Sequence, residues 1–388
     1  MRPLFIVLLA LAACGPAKVD PLPFAPAGPS AAPDPTKPGP FPVGVRTVTY
    51  EDTGRRKPDG TPRILKTEIW YPATQATRGK DGTSYDITEY FTDEQRVQIG
   101  DAVPLLVTPA VRDAPVAKAH GPFPLVIFSH GQAAVRYQST FYTVLLASHG
   151  FVVVSTDHEG GTLYDVVRGS LQNTAAGIET RPGDVMYLLN RLSRLKEDDP
   201  LFGTLDLDRI GVTGHSFGAV TSLRVAVLDP RVKAIVPQAP TSTEVAWLAL
   251  PGPPTLEIPV EIQAAGDDHT LEWDTNAALA WSAVHHPRWL LDILHGGHFT
   301  FSDLCALDLA SIADKVKIDI PGANIKKTLS DGCGPTSPPA VVAQPLINHF
   351  AIAFFNGQLR GSPGSLELLD QAHADALAAD VAAVTADP

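Results

Sequence analysis

The sequence has few cysteines and no excess of positive charge, and both shortages limit what the protein can be. Its 30 Lys and Arg residues are scattered and are outnumbered by 42 Asp and Glu residues, for a formal net charge of −12. Because a nucleic-acid backbone attracts clustered basic residues, this charge argues against a nucleic-acid partner. With 44% hydrophobic residues in 388, the chain can bury a large core without a dense disulfide framework.

The chain starts with a short export signal. A basic residue at position 2 precedes an apolar run at residues 4–10, which is too short to span a membrane permanently. Residues 11–14, Leu-Ala-Ala-Cys, resemble the bacterial lipobox, so we expect a signal peptide at residues 1–13 and lipid attachment to Cys14. An ordinary secretory signal with an incidental cysteine is the alternative. No aspartate follows the cysteine closely, which favours a lipoprotein anchored in the outer membrane of the bacterial cell envelope.

Proline is dense between residues 16 and 42, where it supplies ten residues. Little else in this stretch is apolar enough to bury, so residues 14–42 are predicted to be an extended tether that holds the rest of the protein away from the membrane.

Cys305 and Cys333 remain as a pair once Cys14 is assigned to lipid attachment. In an exported chain an even pair of cysteines predicts a disulfide. Two unrelated buried thiols are the alternative. A metal site is less supported, because neither cysteine has a second thiol at ligand spacing.

The body of the chain is predicted to be one catalytic domain at residues 43–360. Alternating segments at residues 46–50 and 64–71 predict an opening hairpin. Residues 73–120 form a weakly patterned insertion, either a flap over the site or a plain surface excursion. Residues 361–388 are expected to be a C-terminal tail, helical or partly disordered.

From residue 124 onward, short apolar runs alternate with segments of helical period, which predicts a mostly parallel, doubly wound α/β sheet with helices on both faces. One helix carries its leucines on a single face, and Thr180 and Pro182 are expected to mark its start. The predicted strands lie at residues 125–129, 151–156, 210–213, 232–237, 258–264 and 289–294.

Residues 214–218, Gly-His-Ser-Phe-Gly, fit the G-x-S-x-G pattern of a nucleophilic serine. The pattern needs a sharp turn from strand to helix, because the glycines tolerate backbone crowding while the serine hydroxyl points outward. Here the pentapeptide follows an apolar strand and precedes a helical segment, so Ser216 is predicted to be the nucleophile.

The base and the acid should follow the serine in the order Asp or Glu, then His. Residues 295–299, His-Gly-Gly-His-Phe, offer His298 as the base, with His295 as its rival nearer the strand end. The orienting acid should follow the strand at 258–264, where Asp267 and Asp268 stand side by side. We favour Asp268, and Asp267 remains the alternative.

An oxyanion that develops on the substrate needs two preorganised donors. The backbone amide of Phe217, directly after the nucleophile, is the first. The loop after the strand at 125–129 turns through Gly131, which makes the amide of Gln132 the candidate for the second. We expect His130 to brace this loop rather than to react.

Four segments together resemble the α/β-hydrolase superfamily, and within it the platelet-activating-factor acetylhydrolases and the dienelactone-hydrolase-like bacterial esterases. The resemblance implies hydrolysis of a small-molecule or lipid carboxylic ester through an acyl-enzyme, with no metal or organic cofactor. Short-chain esters, acyl phospholipids and polyesters all remain possible substrates. The matching segments are residues 128–131 (Phe-Ser-His-Gly), 181–184 (Arg-Pro-Gly-Asp), 214–218 and 298–305.

Three other readings compete with a short-chain serine esterase, and the first of them belongs to the same class. A cutinase-like polyesterase or a lipase would use the same residues, whereas a non-catalytic anchored scaffold would use none of them. A metal site is a third reading, built either on His295 and His298 or on residues 157–159, Asp-His-Glu. The required residue types stand in the order that a serine hydrolase needs, and we therefore favour the esterase.

Overall fold

The structure is a computed structural model that describes residues 19–57, 59–246, 256–307, 309–316 and 325–388. The predicted signal peptide at residues 1–13 and the predicted lipidation site Cys14 lie outside these ranges. Among the helices within them, none combines the length and the apolar character needed to cross a bilayer.

A ten-stranded mixed sheet forms the centre of the molecule, in the order β12-β11-β10-β9-β8-β6-β7-β2-β1-β5. The six neighbouring strands from β11 to β7 run parallel, and antiparallel strands flank them on both sides. The strands of the described residues are β1 (Val43–Arg56), β2 (Pro62–Pro72), β3 (Ser84–Tyr85), β4 (Leu106–Val107), β5 (Val111–Arg112), β6 (Phe123–Ser129), β7 (Val152–Thr156), β8 (Leu205–His215), β9 (Val232–Gln238), β10 (Val260–Ala265), β11 (Arg288–Ile293) and β12 (Ala382–Asp387).

Helices cover both faces of this sheet, as expected for parallel strands joined by crossovers. The α-helices of the described residues are α1 (Asp93–Ile99), α2 (Thr140–Ser148), α3 (Leu163–Val167), α4 (Thr174–Leu192), α5 (Phe217–Leu228), α6 (Thr243–Ala246), α7 (Ala277–Ala283), α8 (Leu309–Val316), α9 (Ile325–Ser330), α10 (Ala340–Arg360), α11 (Pro363–Leu366) and α12 (Gln371–Leu377). The α/β-hydrolase type of sheet predicted from the sequence is confirmed, including the opening hairpin of β1 and β2.

The apolar core lies in two layers, one on each side of the sheet. The core is divided in this way because successive side chains of a strand point to opposite faces of the sheet. In β6, Val126 and Phe128 face the layer with α2 and α10. Leu125 and Ile127 face the layer with α4 and α5. Every residue of β6 and β7 is buried. Both strands therefore read as continuous apolar runs in the sequence rather than as alternating ones.

The insertion at residues 73–120 packs into the domain beside the loop that follows β6. Its β5 pairs with β1 at the sheet edge, and its Tyr85 stacks on Tyr137 with ring centroids 4.4 Å apart. The hydroxyl of its Tyr90 donates to Asp157, at the carboxyl end of β7, over 2.9 Å. The insertion thus contacts the edge of the sheet at which the parallel strands end. Whether it closes over a substrate stays a prediction.

The C-terminal segment at residues 361–388, which was predicted to be helical or partly disordered, contains two short helices and also a strand that the sequence did not predict. After α11 and α12, strand β12 pairs antiparallel with β11 over six residues and completes the sheet. The backbone groups along the outer edge of β11 gain hydrogen-bond partners in this way, which stabilises residues 382–387 as a strand.

The described part of the predicted tether, residues 19–42, also lies against the domain rather than extending away from it. Arg360 donates to the carbonyl of Ala27, and His149 donates to the carbonyl of Lys37. Phe41 is 2% exposed. These contacts satisfy the backbone of a proline-rich segment that has few internal hydrogen bonds of its own.

Helix α4 starts earlier than Thr180 and Pro182 suggest. The side chain of Asn173 caps it by accepting from the amide of Ala176 at 2.9 Å, and Pro182 lies inside the helix. The cap therefore lies outside the leucine-rich stretch that predicted the helix.

Candidate active site

Ser216 occupies a tight turn between β8 and α5. Its backbone has φ 57° and ψ −116°, a conformation that non-glycine residues rarely adopt. The glycines of the motif allow the close approach: a Cβ on Gly218 would lie 1.8 Å from the carbonyl oxygen of Ser129, and one on Gly214 would lie 2.5 Å from it. The strained turn presents the serine side chain at the carboxyl edge of the sheet.

The side chains of Ser216, His298 and Asp268 form one chain of hydrogen bonds. Ser216 Oγ lies 2.8 Å from His298 Nε2, and His298 Nδ1 lies 2.7 Å from Asp268 Oδ2. The other carboxylate oxygen of Asp268 accepts from the amides of Thr270 and Leu271, which fixes the carboxylate. His298 and Asp268 are 3% and 5% exposed, so water competes little for these bonds.

The two rivals from the sequence, His295 and Asp267, pair with each other at the surface instead. His295 Nδ1 lies 3.0 Å from Asp267 Oδ2, and their side chains are 73% and 54% exposed. Neither is hydrogen-bonded to Ser216 or His298. The structure thus brings together the favoured histidine and the favoured aspartate, and it separates both rivals from the serine.

The two backbone amides proposed for the oxyanion lie next to Ser216. The amide of Phe217 follows the serine at the start of α5, and a Cβ on Gly131 would lie 3.5 Å from the Cβ of Ser216. Among the described residues, neither Phe217 nor Gln132 donates its backbone N–H to another group. Both amides are therefore available to a ligand at the serine, as a preorganised anion site requires.

A buried bridge through Gln138 and His215 joins the loop after β6 to the histidine loop. The amide of Gly131 donates to Gln138 Oε1 at 2.8 Å, and Gln138 Nε2 donates to His215 Nδ1 at 2.7 Å. His215 Nε2 in turn donates to the carbonyl of His298. Burial holds the pKa of His215 well below its usual value, so it stays neutral and keeps this tautomer. Sequence reasoning missed Gln138, because nothing in its neighbourhood indicates a partner 77 residues away.

Asp331 connects the acid loop with the histidine loop. Its Oδ2 accepts from the amide of His269 at 3.0 Å and from the hydroxyl of Thr270 at 2.7 Å. Its carbonyl accepts from the amide of Phe299 at 2.8 Å. Sequence reasoning missed Asp331 as well, although its place two residues before a disulfide cysteine was a signal that it lies near the histidine.

The predicted disulfide between Cys305 and Cys333 is confirmed. It links the segment after the histidine to the segment that contains Asp331, across a sequence separation of 28 residues. A covalent bond therefore holds these two segments together beside the site.

The residues of the alternative metal reading are each engaged elsewhere. Asp157 binds Arg136, His158 binds Asp184, and Glu159 binds Lys57. Within the described ranges, no group of three or more His, Cys, Asp or Glu residues is arranged to hold a metal ion.

His130 braces its loop, as we expected. Its Nδ1 donates to the carbonyl of Gly131 at 2.7 Å, and its Nε2 accepts from the amide of His158. Because burial holds the pKa of His130 well below its ordinary value, the ring is neutral and can make both bonds.

Comparison with known proteins shows what this chain is similar to. A family model described as PET hydrolase-like matches residues 115–303, and a model of platelet-activating factor acetylhydrolase, isoform II, matches residues 32–162. A ferulic acid esterase from Streptomyces cinnamoneus superposes with a TM-score of 0.64 and 26% sequence identity, over 90% of this chain and 97% of that one. The chain therefore has the α/β-hydrolase fold and is similar to serine esterases of that fold. The first model spans Gln132, Ser216, Asp268 and His298.

Similar proteins from animals and bacteria carry the names of ester hydrolases. Platelet-activating factor acetylhydrolase from Canis lupus familiaris is 28% identical over 33% of this chain and 37% of its own length. Bis(hydroxyethyl) terephthalate hydrolase from Streptomyces coelicolor is 25% identical over 48% of this chain and 54% of its own length. The matches thus span about a third to a half of these relatives.

Proposed function

We propose that this protein hydrolyses carboxylic esters through an acyl-enzyme formed on Ser216. The observation that carries the proposal is the unbroken hydrogen-bond chain from Ser216 through His298 to Asp268, which lies beside two backbone amides with no acceptor among the described residues. A serine hydrolase needs a nucleophile, a base, an orienting acid and an anion site, and this arrangement supplies all four.

The first half of the reaction is acylation. As Ser216 Oγ attacks the ester carbonyl carbon, its proton passes to His298 Nε2, and Asp268 stabilises the imidazolium that forms. The carbonyl oxygen becomes negative and accepts from the amides of Gln132 and Phe217. His298 then gives its proton to the departing alkoxide oxygen as the carbon–oxygen bond breaks, which leaves the acyl group on Ser216.

The second half releases the acid. Water loses a proton to His298 and attacks the acyl carbon, and the second tetrahedral intermediate uses the same two amides. His298 returns the proton to Ser216 Oγ as the acyl–oxygen bond breaks. No step in this sequence requires a metal or an organic cofactor.

Two substrate classes are supported by different relatives. The acetylhydrolase match over residues 32–162 favours esters with a short acyl chain, including phospholipid acetyl esters. The PET hydrolase-like match over residues 115–303 and the terephthalate ester hydrolase favour aromatic diesters and polyesters as the second candidate. We place short-chain esters first, and a direct comparison of substrates separates the two.

The experiment is hydrolysis of p-nitrophenyl esters from acetate to palmitate, with bis(hydroxyethyl) terephthalate and methyl ferulate assayed in parallel. We expect turnover that is greatest on short chains and is lost in Ser216→Ala. Ser193→Ala, at the exposed end of α4, is the matched control and should keep full activity. Higher kcat/KM on the terephthalate would favour the second candidate. Equal rates for wild type and Ser216→Ala would contradict the proposal.

We also propose that the protein is exported and held at the bacterial outer membrane by a lipid on Cys14. The support is the sequence of residues 1–14 alone. Labelling with radioactive palmitate and membrane fractionation should place the wild type in the outer membrane and Cys14→Ser in the soluble fraction. Unlabelled, soluble wild-type protein would favour the ordinary secretory signal.

A further inference from the structure

Arg181, on α4, lies directly beneath the loop that contributes Gln132. The residue is 1% exposed, and its guanidinium donates to four oxygens: the carbonyls of His130 at 2.6 Å, Gly131 at 3.3 Å and Gly161 at 3.1 Å, and the side-chain oxygen of Gln132 at 2.9 Å. Three of the four belong to the consecutive residues 130–132. The guanidinium thus binds three consecutive residues of one loop, two through their carbonyls and one through its side chain.

Arg181 differs from two other buried arginines, Arg63 and Arg136, in having no carboxylate within ion-pair distance among the described residues. Arg63 binds Asp184, and Arg136 binds Glu68 and Asp157. Burial lowers the pKa of Arg181 to about 9, which leaves it charged at neutral pH. Asp184 and Asp165 act on this charge only from beyond ion-pair distance, so the hydrogen bonds to carbonyl oxygens must replace much of the hydration that burial removes.

The orientation of the peptides that Arg181 binds shows what these hydrogen bonds do for the oxyanion site. In a trans peptide the C=O of one residue and the N–H of the next point in opposite directions, and the peptides of residues 130–132 are trans. The carbonyl of Gly131 is held on the inner side by Arg181 and by His130 Nδ1. The N–H of Gln132, in the same peptide, must therefore point to the opposite side, away from Arg181.

The peptide that joins His130 to Gly131 has the same orientation. The carbonyl of His130 also accepts from Arg181, and the N–H of Gly131 in that peptide points the other way, onto Gln138 Oε1. Two consecutive peptides are thus oriented alike, with both carbonyls toward the guanidinium. One of their two N–H groups is taken by Gln138, and the other, on Gln132, has no acceptor among the described residues.

Arg181 also contacts Phe217, whose backbone amide is the other proposed oxyanion donor. Its guanidinium carbon lies 4.5 Å from the centroid of the Phe217 ring, within cation–π distance. The same side chain therefore touches both residues whose backbone amides lie beside Ser216.

On these contacts, and resting on the proposed function, we infer that Arg181 is the positioning residue of the oxyanion site. It turns the Gln132 amide toward the substrate oxygen by binding the carbonyls of His130 and Gly131, and it packs against Phe217. It does not touch the substrate. Its contribution is to fix the anion site before the negative charge develops, which is when preorganised donors are most effective.

The test compares Arg181→Met and Arg181→Lys with Arg360→Met. Arg360 is the matched control because it is a partly buried arginine that also donates to backbone carbonyls, those of Ala27 and Gly150, away from the triad. Each variant is assayed for kcat and KM on p-nitrophenyl acetate, for inhibition by phenylboronic acid, which forms a tetrahedral adduct on the serine, and for its Tm.

We expect Arg181→Met to lower kcat by roughly 100-fold with KM within about threefold, and to weaken the boronic acid by a similar factor. Lysine keeps the charge but not the planar fork, so Arg181→Lys should fall between this variant and the wild type. Arg360→Met should lower Tm while kcat and boronate affinity stay near wild type. Should Arg181→Met fail to fold, Arg181→Lys carries the same test with a loss of at least about tenfold.

The test separates a failure of the proposed function from a failure of the inference about Arg181. A wild-type protein that neither hydrolyses the ester nor binds the boronic acid would overturn the proposed function and this inference with it. An active wild type in which the Arg181 variants retain kcat and boronate affinity, or lose them only in step with Tm as Arg360→Met does, would overturn the inference alone.

Discussion

Glu261 is a buried acid whose replacement should change how stability depends on pH. It lies on β10 with 0% exposure, and one carboxyl oxygen accepts from Gln263 while the other has no partner. Burial raises the pKa of this carboxyl to about 8. At neutral pH the folded protein therefore holds Glu261 protonated.

The sign of the effect follows from proton binding in the two states. An unfolded glutamate loses its proton near pH 4.5, whereas the folded protein keeps it until about pH 8. Between these values the folded state binds more protons, so its stability falls as the pH rises. Since one pKa unit corresponds to about 1.4 kcal/mol, this group should cost about 3 kcal/mol of unfolding free energy between pH 5 and pH 8.

The perturbation is Glu261→Gln, which keeps the oxygen that Gln263 needs and does not titrate. Urea unfolding at pH 5 and pH 8 should show a decrease in the wild type that exceeds the decrease in the variant by about 3 kcal/mol. Glu197→Gln, at an exposed position without a hydrogen-bond partner in the structure, is the control and should behave like the wild type. Parallel pH dependences for the wild type and Glu261→Gln would refute the reasoning.

Two further predictions concern the loops around the site. Asp331→Ala removes the acceptor for the amide of His269 and the hydroxyl of Thr270. We expect kcat, measured by ester kinetics, to fall at least about tenfold, and the unfolding free energy, measured by urea titration, to fall by about 2 kcal/mol. An unchanged kcat would show that Asp331 is not needed to hold the acid and histidine loops in place. The double variant Cys305→Ser with Cys333→Ser opens a loop of 28 positions and should lose about 3 kcal/mol in the same titration. A loss below about 0.5 kcal/mol would contradict the stabilising role of the bridge.

The sheet and the three triad candidates were predictable because they depend on local patterns and chain order. The strands β6 to β11 contain short apolar runs, and the G-x-S-x-G turn fixes where the serine, the acid and the histidine follow one another. Chain order alone left His295 beside His298 and Asp267 beside Asp268. The choice depends on which side chains turn inward, and that requires the three-dimensional path of both loops.

The supporting contacts were not predictable because they join distant parts of the chain. Gln138 acts through a histidine 77 residues later, and Arg181 acts through carbonyls about 50 residues earlier. Strand β12 was missed because its residues are largely exposed and weakly apolar, so that pairing with β11 rather than an internal pattern makes it a strand. In each case tertiary contact decides what the local sequence leaves open.

The central claim is that Ser216 becomes acylated during turnover, and covalent labelling tests it most directly. After incubation with a fluorophosphonate, intact-mass and peptide mass spectrometry should show one adduct per chain, on the peptide that contains Ser216. Ser216→Ala should remain unlabelled, and His298→Ala should label far more slowly, since His298 accepts the serine proton. An adduct on another residue, or ester turnover that persists in the wild type without any adduct on Ser216, would contradict the account.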